Sequence, residues 1–301
     1  MVVRHDRVMK AISPSLSHGE GRAPGHDDVT LHYRLSGNGP VLIAHPGGPG
    51  TSSAFLGDLA ELDEIATIVW LDPRGTDTST APAEPTAYAL EHYAADVEAL
   101  RVHLGLERIG LLGFSHGGMV AMRYATDHPD RLSHLVLLDT AAALDEEAMK
   151  RVGAAMDRRQ GHPWYEEVRR EIDADETPAS DDEAIAGLLR IMPMYFHAWD
   201  DVAQRFVDGL HGTSFHARVG PSWNEEQSRM DLRPELGRIE APTLVVVGED
   251  DFICDVTAAR EMAELIPNAR LAVIPDAGHF PWVEQPAAFR AALDEFLAAS
   301  S

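Results

Sequence analysis

Short apolar runs alternate with stretches of helical pattern from Val29 onward, and this alternation restricts the fold more than any other feature of the sequence. It is typical of βαβ units, in which parallel strands are joined by helices that cover both faces of the sheet. Several runs are almost wholly apolar, as expected for strands buried on both sides. We therefore predict an α/β fold with a mostly parallel central sheet flanked by helices.

The individual elements can be placed from these runs and from the helical spacing of apolar residues. The predicted strands are Thr30–Leu35, Val41–Ala44, Thr67–Leu71, Ile109–Leu112, Leu135–Leu138, Thr243–Val247 and Leu271–Ile274. The clearest predicted helices are Ala54–Leu62, Tyr93–Leu104, Gly117–Thr126, Thr257–Leu265 and Pro286–Ala299.

The alternation stops between Leu138 and Thr243, where helix-like stretches rich in Arg, Glu and Met replace it. A helical block inserted there would lie at the carboxyl ends of the strands, where open α/β sheets bind ligands. We expect residues 141–238 to form a helical cap and residues 29–140 and 239–301 to form the core. Residues 1–28 are predicted to be a flexible tail.

Charge and cysteine content restrict the partners and the compartment. The chain has 25 basic and 49 acidic residues, a formal net charge of −24, which disfavours nucleic acid and anionic lipid surfaces. A small molecule or a short peptide is the expected substrate, and the sequence does not indicate an oligomeric state. The lone cysteine, Cys254, excludes an intramolecular disulfide, and neither a signal-length nor a membrane-spanning apolar run is present. We predict a cytoplasmic protein without membrane contact.

The strongest chemical signal is the G-x-S-x-G pattern Gly113–Gly117. The predicted strand Ile109–Leu112 enters it and a helical pattern leaves it, which is the strand–turn–helix of a nucleophile elbow. Glycines suit such a turn because the serine backbone is strained and its neighbours pack closely. Ser115 is therefore the candidate nucleophile.

A nucleophilic serine needs a base and a carboxylate that orients the base, and the elbow fold places them in the order serine, acid, histidine. Asp251 follows one late strand and His279 follows the last, so we predict a triad of Ser115, Asp251 and His279. Two other acids remain open: Asp250, one residue earlier, and Asp139, which ends the strand before the insertion. The histidine spacings do not match a zinc motif, and neither a metal nor a cofactor is expected.

The glycine-rich turn His45–Gly50 follows the strand Val41–Ala44 and is the candidate oxyanion loop. A backbone N–H in such a turn can stabilise the oxygen that becomes negative in a tetrahedral intermediate. We assign this role to the N–H groups of Gly48 and His116, with Gly47 as the alternative register of the loop.

These motifs resemble the α/β-hydrolase superfamily and, within it, the proline iminopeptidase group, over Val29 to about Ala298. Gly47–Gly50 matches the end of that group's H-G-G-P-G motif, Asp72–Ser79 is similar to its D-x-R-G-x-G-x-S loop, and Phe114–Gly118 matches its elbow. Its acid loop often has a cysteine three residues after the aspartate, as Asp251 and Cys254 do here. Two positions depart from the pattern: Pro46 stands in place of the histidine and Asp77 in place of a glycine.

The resemblance also implies cap glutamates that bind a substrate amino group, in motifs that contain Trp or Tyr-Phe. This sequence has only fragments of them, Met194–Phe196 and Trp223–Glu226. Glu225 and Glu226 are the candidates for the ammonium site, since a buried ammonium needs a partner; the alternative is a solvated helix start. Trp223, Tyr195 and Phe196 are candidates for the acyl or leaving-group pocket, or are packed within the cap.

The residues favour a serine hydrolase that cleaves a small ester, lactone or amide through an acyl-enzyme. One alternative is a proline iminopeptidase that releases amino-terminal proline from peptides. The other is a catalytically silent hydrolase fold that acts as a ligand receptor.

Overall fold

An eight-stranded sheet lies at the centre of the computed structural model, which describes residues 18–174, 178–217, 219–227 and 229–299. The strands are β1 (Gly19–Pro24), β2 (Thr30–Ser36), β3 (Val41–His45), β4 (Thr67–Asp72), β5 (Ile109–Phe114), β6 (Leu132–Leu138), β7 (Thr243–Gly248) and β8 (Ala269–Ile274). Their order is β1-β2-β4-β3-β5-β6-β7-β8. The β1–β2 and β2–β4 pairs are antiparallel and the other pairs are parallel. The predicted α/β class and all seven predicted strands are confirmed, with small shifts at the strand ends.

Ten α-helices accompany the sheet in the described residues. They are α1 (Leu90–His103), α2 (His116–Asp127), α3 (Glu146–Asp157), α4 (Tyr165–Ala174), α5 (Asp181–Ile191), α6 (Asp201–Gly209), α7 (Val219–Gln227), α8 (Val256–Leu265), α9 (Pro281–Glu284) and α10 (Pro286–Ala299). The predicted helices that correspond to α1, α2, α8 and α10 are confirmed. None of the described helices is long and apolar enough to cross a membrane.

The central strands of the sheet are buried on both faces because their side chains alternate between two apolar layers. Along β6, Leu135 and Leu137 belong to the layer that α1, α2 and α8 cover. Val136 and Leu138 belong to the opposite layer, which contains the apolar side chains of α10. The two layers hold β5, β6 and β7 in place, so the loops at their carboxyl ends have a rigid base.

The predicted helix Ala54–Leu62 is wrong. Two 3-10 turns, Ser53–Leu56 and Leu62–Glu64, occupy the ends of this segment. Between them Leu59, Ala60 and Glu61 have φ angles of 48°, 56° and 59°, and a right-handed helix cannot continue through positive φ. The apolar spacing that suggested a helix results from leucines that the successive turns bury.

The predicted flexible tail is wrong for Gly19–Pro24, which forms the edge strand β1. This strand pairs antiparallel with β2 along its whole length. Gly21 lies against the ring of Tyr33, so close that a Cβ there would be 2.4 Å from the ring. Glycine, proline and charge give this segment low strand propensity, and the ladder with β2 determines its conformation instead. Residues 1–17 of the predicted tail lie outside the described residues.

Helices α3 to α7 lie between β6 and β7, within the segment 141–238 that we call the cap. Three of them begin with a polar side chain that accepts hydrogen bonds from the first free N–H groups of the helix, as helix N-termini require. Asp145 accepts from Ala148, Ser180 from Glu183, and Asp200 from both Val202 and Ala203. These capping side chains mark where three of the cap helices begin. The apolar pattern of the cap alone did not show these helix boundaries.

Candidate active site

Ser115 occupies a sharp turn between β5 and α2. Its φ of 53° and ψ of −120° lie outside the ordinary regions for a residue with a Cβ. The turn is held by hydrogen bonds on both sides of the serine: its N–H donates to the Leu138 carbonyl (2.9 Å), and its carbonyl accepts from the Gly118 N–H (2.9 Å) and the Thr140 hydroxyl (2.7 Å). Strain retained in this way is typical of functional turns.

Two glycines of the motif, Gly113 and Gly117, allow neighbouring backbone segments to pack in direct van der Waals contact. A Cβ at Gly113 would lie 2.2 Å from the Gly117 carbonyl oxygen. A Cβ at Gly117 would lie 2.4 Å from the carbonyl oxygen of Pro46 and 2.5 Å from that of His45. The turn therefore packs directly against the loop that follows β3, and both glycines are needed for this contact.

Replacing Gly117 with alanine is expected to lower the free energy of unfolding by about 2 kcal/mol, because backbone atoms must move to admit the methyl group. The matched control is Gly153→Ala in α3, where an added Cβ meets nothing within 4 Å. This control should raise the stability by about 0.5–1 kcal/mol through helix propensity. Urea unfolding of both variants measures the two effects, and a loss of similar size in both would contradict the packing argument.

His279 and Asp251 form a buried pair beside this turn. The His279 Nδ1 lies 2.7 Å from Asp251 Oδ2, and both side chains are almost fully buried. Asp251 Oδ1 accepts the backbone N–H groups of Ile253 (3.0 Å) and Cys254 (3.1 Å). Burial alone would raise the pKa of Asp251, but His279 and these N–H groups outweigh it and hold the pKa below its usual value.

His279 is positioned between the elbow and the cap. Its ring centroid lies 4.8 Å from that of Phe114, the residue before Ser115. Its backbone N–H donates to the carbonyl of Tyr195 in the cap (2.7 Å). Because Nδ1 faces Asp251, Nε2 is the ring nitrogen that can accept a proton from a nucleophile.

The two alternative acids lie in different surroundings. The carboxylate of Asp250 is about half exposed and hydrogen-bonds to His197 rather than to His279. Asp139 is fully buried at the end of β6 and accepts the Gly248 N–H (2.8 Å), in direct contact with Asp251. The placement favours Asp251 as the partner of His279. It also brings Asp139 next to Asp251, whereas the sequence suggested Asp139 only as an alternative acid.

The loop after β3 brings Gly47, rather than Gly48, against the nucleophile. Gly47 is buried, and a Cβ on it would lie 3.0 Å from the Ser115 Cβ, whereas Gly48 is exposed, with a φ of 101°. Within the described residues, neither N–H is hydrogen-bonded to an acceptor. Both the predicted Gly48 register and the alternative Gly47 register therefore remain candidates for the oxyanion N–H.

His116, the residue after the serine, begins α2 and contributes the other predicted N–H. As a first-turn residue its N–H has no partner within the helix, and it lies at the positive end of the helix dipole. The imidazole is buried and packs edge-on against Trp223, with ring centroids 4.8 Å apart. Burial and the nearby His45 lower the pKa of His116 to about 3, so this side chain is neutral and serves in packing.

The aromatic residues predicted to line the pocket divide into two groups. Tyr195 packs against His279 with ring centroids 5.4 Å apart, and Trp223 covers His116. Phe196 is 1% exposed and stacks on Phe280. Tyr195 and Trp223 therefore lie at the site, whereas Phe196 belongs to the apolar layer beneath it.

The two cap glutamates do not point toward the triad. Glu225 is exposed and forms a salt bridge with Arg229 at 3.0 Å. Glu226 accepts the N–H of Leu90 (2.9 Å) at the start of α1, whose own N-cap residue, Ala89, has no side-chain acceptor. Both line a cavity of about 460 Å³ that contains none of the three triad residues. Their placement does not support the predicted ammonium site.

The sequence of this chain matches a known family of proteins. A family model described as alpha/beta hydrolase fold matches residues 40–286. The chain belongs to the α/β-hydrolase fold family. The resemblance predicted from the motifs is confirmed, and the chain is an enzyme of the hydrolase class.

Three relatives illustrate the range of activities around this hydrolase. It is 28% identical over 296 residues to a proline iminopeptidase of Lacticaseibacillus rhamnosus, covering 93% of this chain and 98% of the relative. It is 27% identical over 269 residues to 3-oxoadipate enol-lactonase 2 of Acinetobacter baylyi, covering 89% and 92%. The solved structure of an enol-lactonase from Burkholderia xenovorans is similar, with a TM-score of 0.68 and 27% identity, covering 92% of this chain and all of that one.

A glutamate that the sequence analysis missed also contacts the loop that holds His279 in this hydrolase. Glu284, in α9, accepts the Gly278 N–H (2.7 Å) and the Ala198 N–H (3.1 Å). It thereby joins the histidine loop to the cap, and burial raises its pKa. Nothing in the sequence around Glu284 distinguishes it from a surface glutamate at a helix start.

The cap segment around Ser214 docks on two core loops of the hydrolase. The Ser214 hydroxyl accepts the N–H of Asp77 (2.7 Å), the residue that replaces the family glycine, and the His216 N–H donates to the Gly50 carbonyl (2.8 Å). The loop of Asp77 is anchored by the buried ion pair of Arg74 and Asp96 at 2.7 Å. The cap therefore reaches the oxyanion loop through main-chain contacts.

In the described part of the hydrolase, side chains of types that bind metals come together in three places. The groups are His26, Asp27 and His92; His32, Asp72 and Asp77; and Asp251, Cys254 and His279. Each contains a direct hydrogen bond between a histidine and an aspartate, which accounts for the short distances without an ion.

Proposed function

We propose that this hydrolase cleaves a small ester, lactone or amide through an acyl-enzyme formed on Ser115. The observation that carries the proposal is the buried Asp251–His279 pair beside a serine held in a strained turn. Desolvation and a fixed carboxylate are what an imidazole needs to act as a general base on a hydroxyl group.

In the proposed mechanism, His279 Nε2 removes the Ser115 proton as Oγ attacks the substrate carbonyl. Asp251 stabilises the imidazolium, and the N–H of His116 with that of Gly47 or Gly48 binds the oxyanion. His279 then protonates the leaving group, and water repeats the sequence on the acyl-enzyme. The reaction requires neither a metal nor a cofactor.

The contacts of the cap support a neutral acyl substrate over one with a free amino group. An ammonium buried without a carboxylate would be strongly disfavoured. Glu225 pairs with Arg229, and one oxygen of Glu226 accepts the Leu90 N–H while its buried Oε2 meets no donor among the described residues; both line a cavity that contains no triad residue. Glu284 is held by two backbone N–H groups. The aromatic rings of Tyr195 and Trp223 pack against His279 and His116 and bring no further carboxylate to the triad.

The expected result is Ser115-dependent hydrolysis of short-chain p-nitrophenyl esters and simple lactones, with kcat/KM at least about 100-fold above that for proline β-naphthylamide. Purified wild-type protein and Ser115→Ala are compared on all three substrates. Faster cleavage of the prolyl amide would instead favour an iminopeptidase. Absence of turnover together with absence of fluorophosphonate labelling would favour a ligand receptor.

A further inference from the structure

The carboxyl group of Asp139 lies where a second negative charge would be strongly disfavoured. Asp139 is 0% exposed at the end of β6, with a φ of 42° that few residues other than Gly, Asn or Asp tolerate. Its Oδ1 accepts the Gly248 N–H (2.8 Å). Its Oδ2 is buried and, within the described residues, meets no hydrogen-bond donor. A buried acceptor without a donor needs an explanation.

The groups that face Asp139 are acidic or neutral. From the loop after β7 they are the Asp251 carboxylate, which is in hydrogen-bond contact, and the Cys254 thiol; from α9 the Glu284 carboxyl faces it as well. His279 hydrogen-bonds to Oδ2 of the same Asp251 carboxylate. Burial raises the pKa of Asp139 well above its usual value, and the charge of Asp251 raises it further.

Of the two touching carboxyl groups, Asp251 is the one that retains the negative charge. It accepts from the His279 ring and from the N–H groups of Ile253 and Cys254. A carboxylate has about four acceptor positions, so these three bonds leave one. Asp139 has a single N–H donor, on its other oxygen. One proton between the two groups would meet both needs. Asp139 Oδ2 would then donate a hydrogen bond, and the free acceptor position of Asp251 would accept it.

We propose that Asp139 is a positioning residue for the triad acid: its carboxyl group stays protonated and donates a hydrogen bond to the Asp251 carboxylate. This bond fixes the orientation of Asp251 through the acceptor position that His279, Ile253 and Cys254 leave free, and it spreads the charge of Asp251. The part that concerns catalysis rests on the proposed function, whereas the protonation of Asp139 does not depend on it.

The first test is the pH dependence of stability, with Asp139→Asn as an uncharged mimic that can still donate through Nδ2. Above pH 4 the unfolded wild type releases the Asp139 proton while the folded state keeps it, so wild-type stability falls relative to the variant as pH rises. We expect the urea midpoint of Asp139→Asn to rise steadily relative to wild type from pH 4 to 8. Asp130→Asn, at an exposed site, gives the baseline for losing a carboxylate. A difference no more pH-dependent than this baseline overturns the proposal.

The second test separates positioning from packing. Asp139→Ala should lower kcat on the best ester at least tenfold with KM within about twofold, and Asp139→Asn should restore most of that loss. Equal kcat for alanine and wild type would overturn the positioning role. Failure of the proposed function would look different, because turnover would then not depend on Ser115 while the pH dependence of stability would still be observed.

Discussion

Replacing Ser115 with alanine is expected to lower kcat for ester hydrolysis by at least about 10⁴-fold, because water must then attack without a covalent intermediate. The residual rate would come from the oxyanion N–H groups and from substrate binding. The alanine methyl retains the Cβ that contacts Gly47, so the fold and substrate affinity should change little. Steady-state kinetics with active-site titration by a fluorophosphonate measures both the rate and the covalent step.

The matched control is Ser133→Ala on β6, whose hydroxyl contacts only the neighbouring His134 among the partners described. It should retain kcat within about twofold. Turnover by Ser115→Ala above a few per cent of wild type, after contamination is excluded by a second purification tag, would refute the nucleophile.

Asp251→Asn is expected to lower kcat by about 10⁴-fold while leaving the fold intact. An asparagine amide that faces His279 Nδ1 can donate a hydrogen bond, which favours the tautomer with its proton on Nε2 and removes the base. The neutral side chain also cannot stabilise the imidazolium. Asp250→Asn, one residue away and paired with His197, should lose less than about threefold.

Comparison of kcat for the two variants at their pH optima decides between the adjacent aspartates. A large loss in Asp250→Asn with little loss in Asp251→Asn would reverse the assignment of the acid. Similar moderate losses in both would indicate that neither carboxylate alone orients the base.

Much of the core could be predicted because its signals are local. Buried parallel strands appear as short apolar runs, and the elbow combines a strand, a glycine-rich turn and a helix within a few residues around Ser115. The elbow fold places nucleophile, acid and base in that order along the chain, and the candidates here follow β5, β7 and β8. Asp251 and His279 could thus be placed without knowledge of any contact.

The parts of the fold and site that could not be predicted depend on contacts between residues that are far apart in the sequence. Strand β1 exists because β2 offers a free edge, and Glu226 caps α1, which begins 136 residues earlier in the chain. The apolar spacing of the segment before β4 fits a helix as well as the turns that form. The proximity of Asp139 to Asp251 follows only from the pairing of β6 with β7.

The cap is anchored to the core at three places, and these anchors limit how the cap can be engineered. The Tyr195 carbonyl accepts from the backbone N–H of the proposed base His279, Trp223 packs against His116, and the His216 N–H donates to the Gly50 carbonyl in the candidate oxyanion loop. A chimera that carries the cap of a relative would disturb three elements of the proposed site at once unless these anchors were retained. New specificity in this scaffold should therefore be easier to obtain by point changes between the anchors than by exchange of the whole segment.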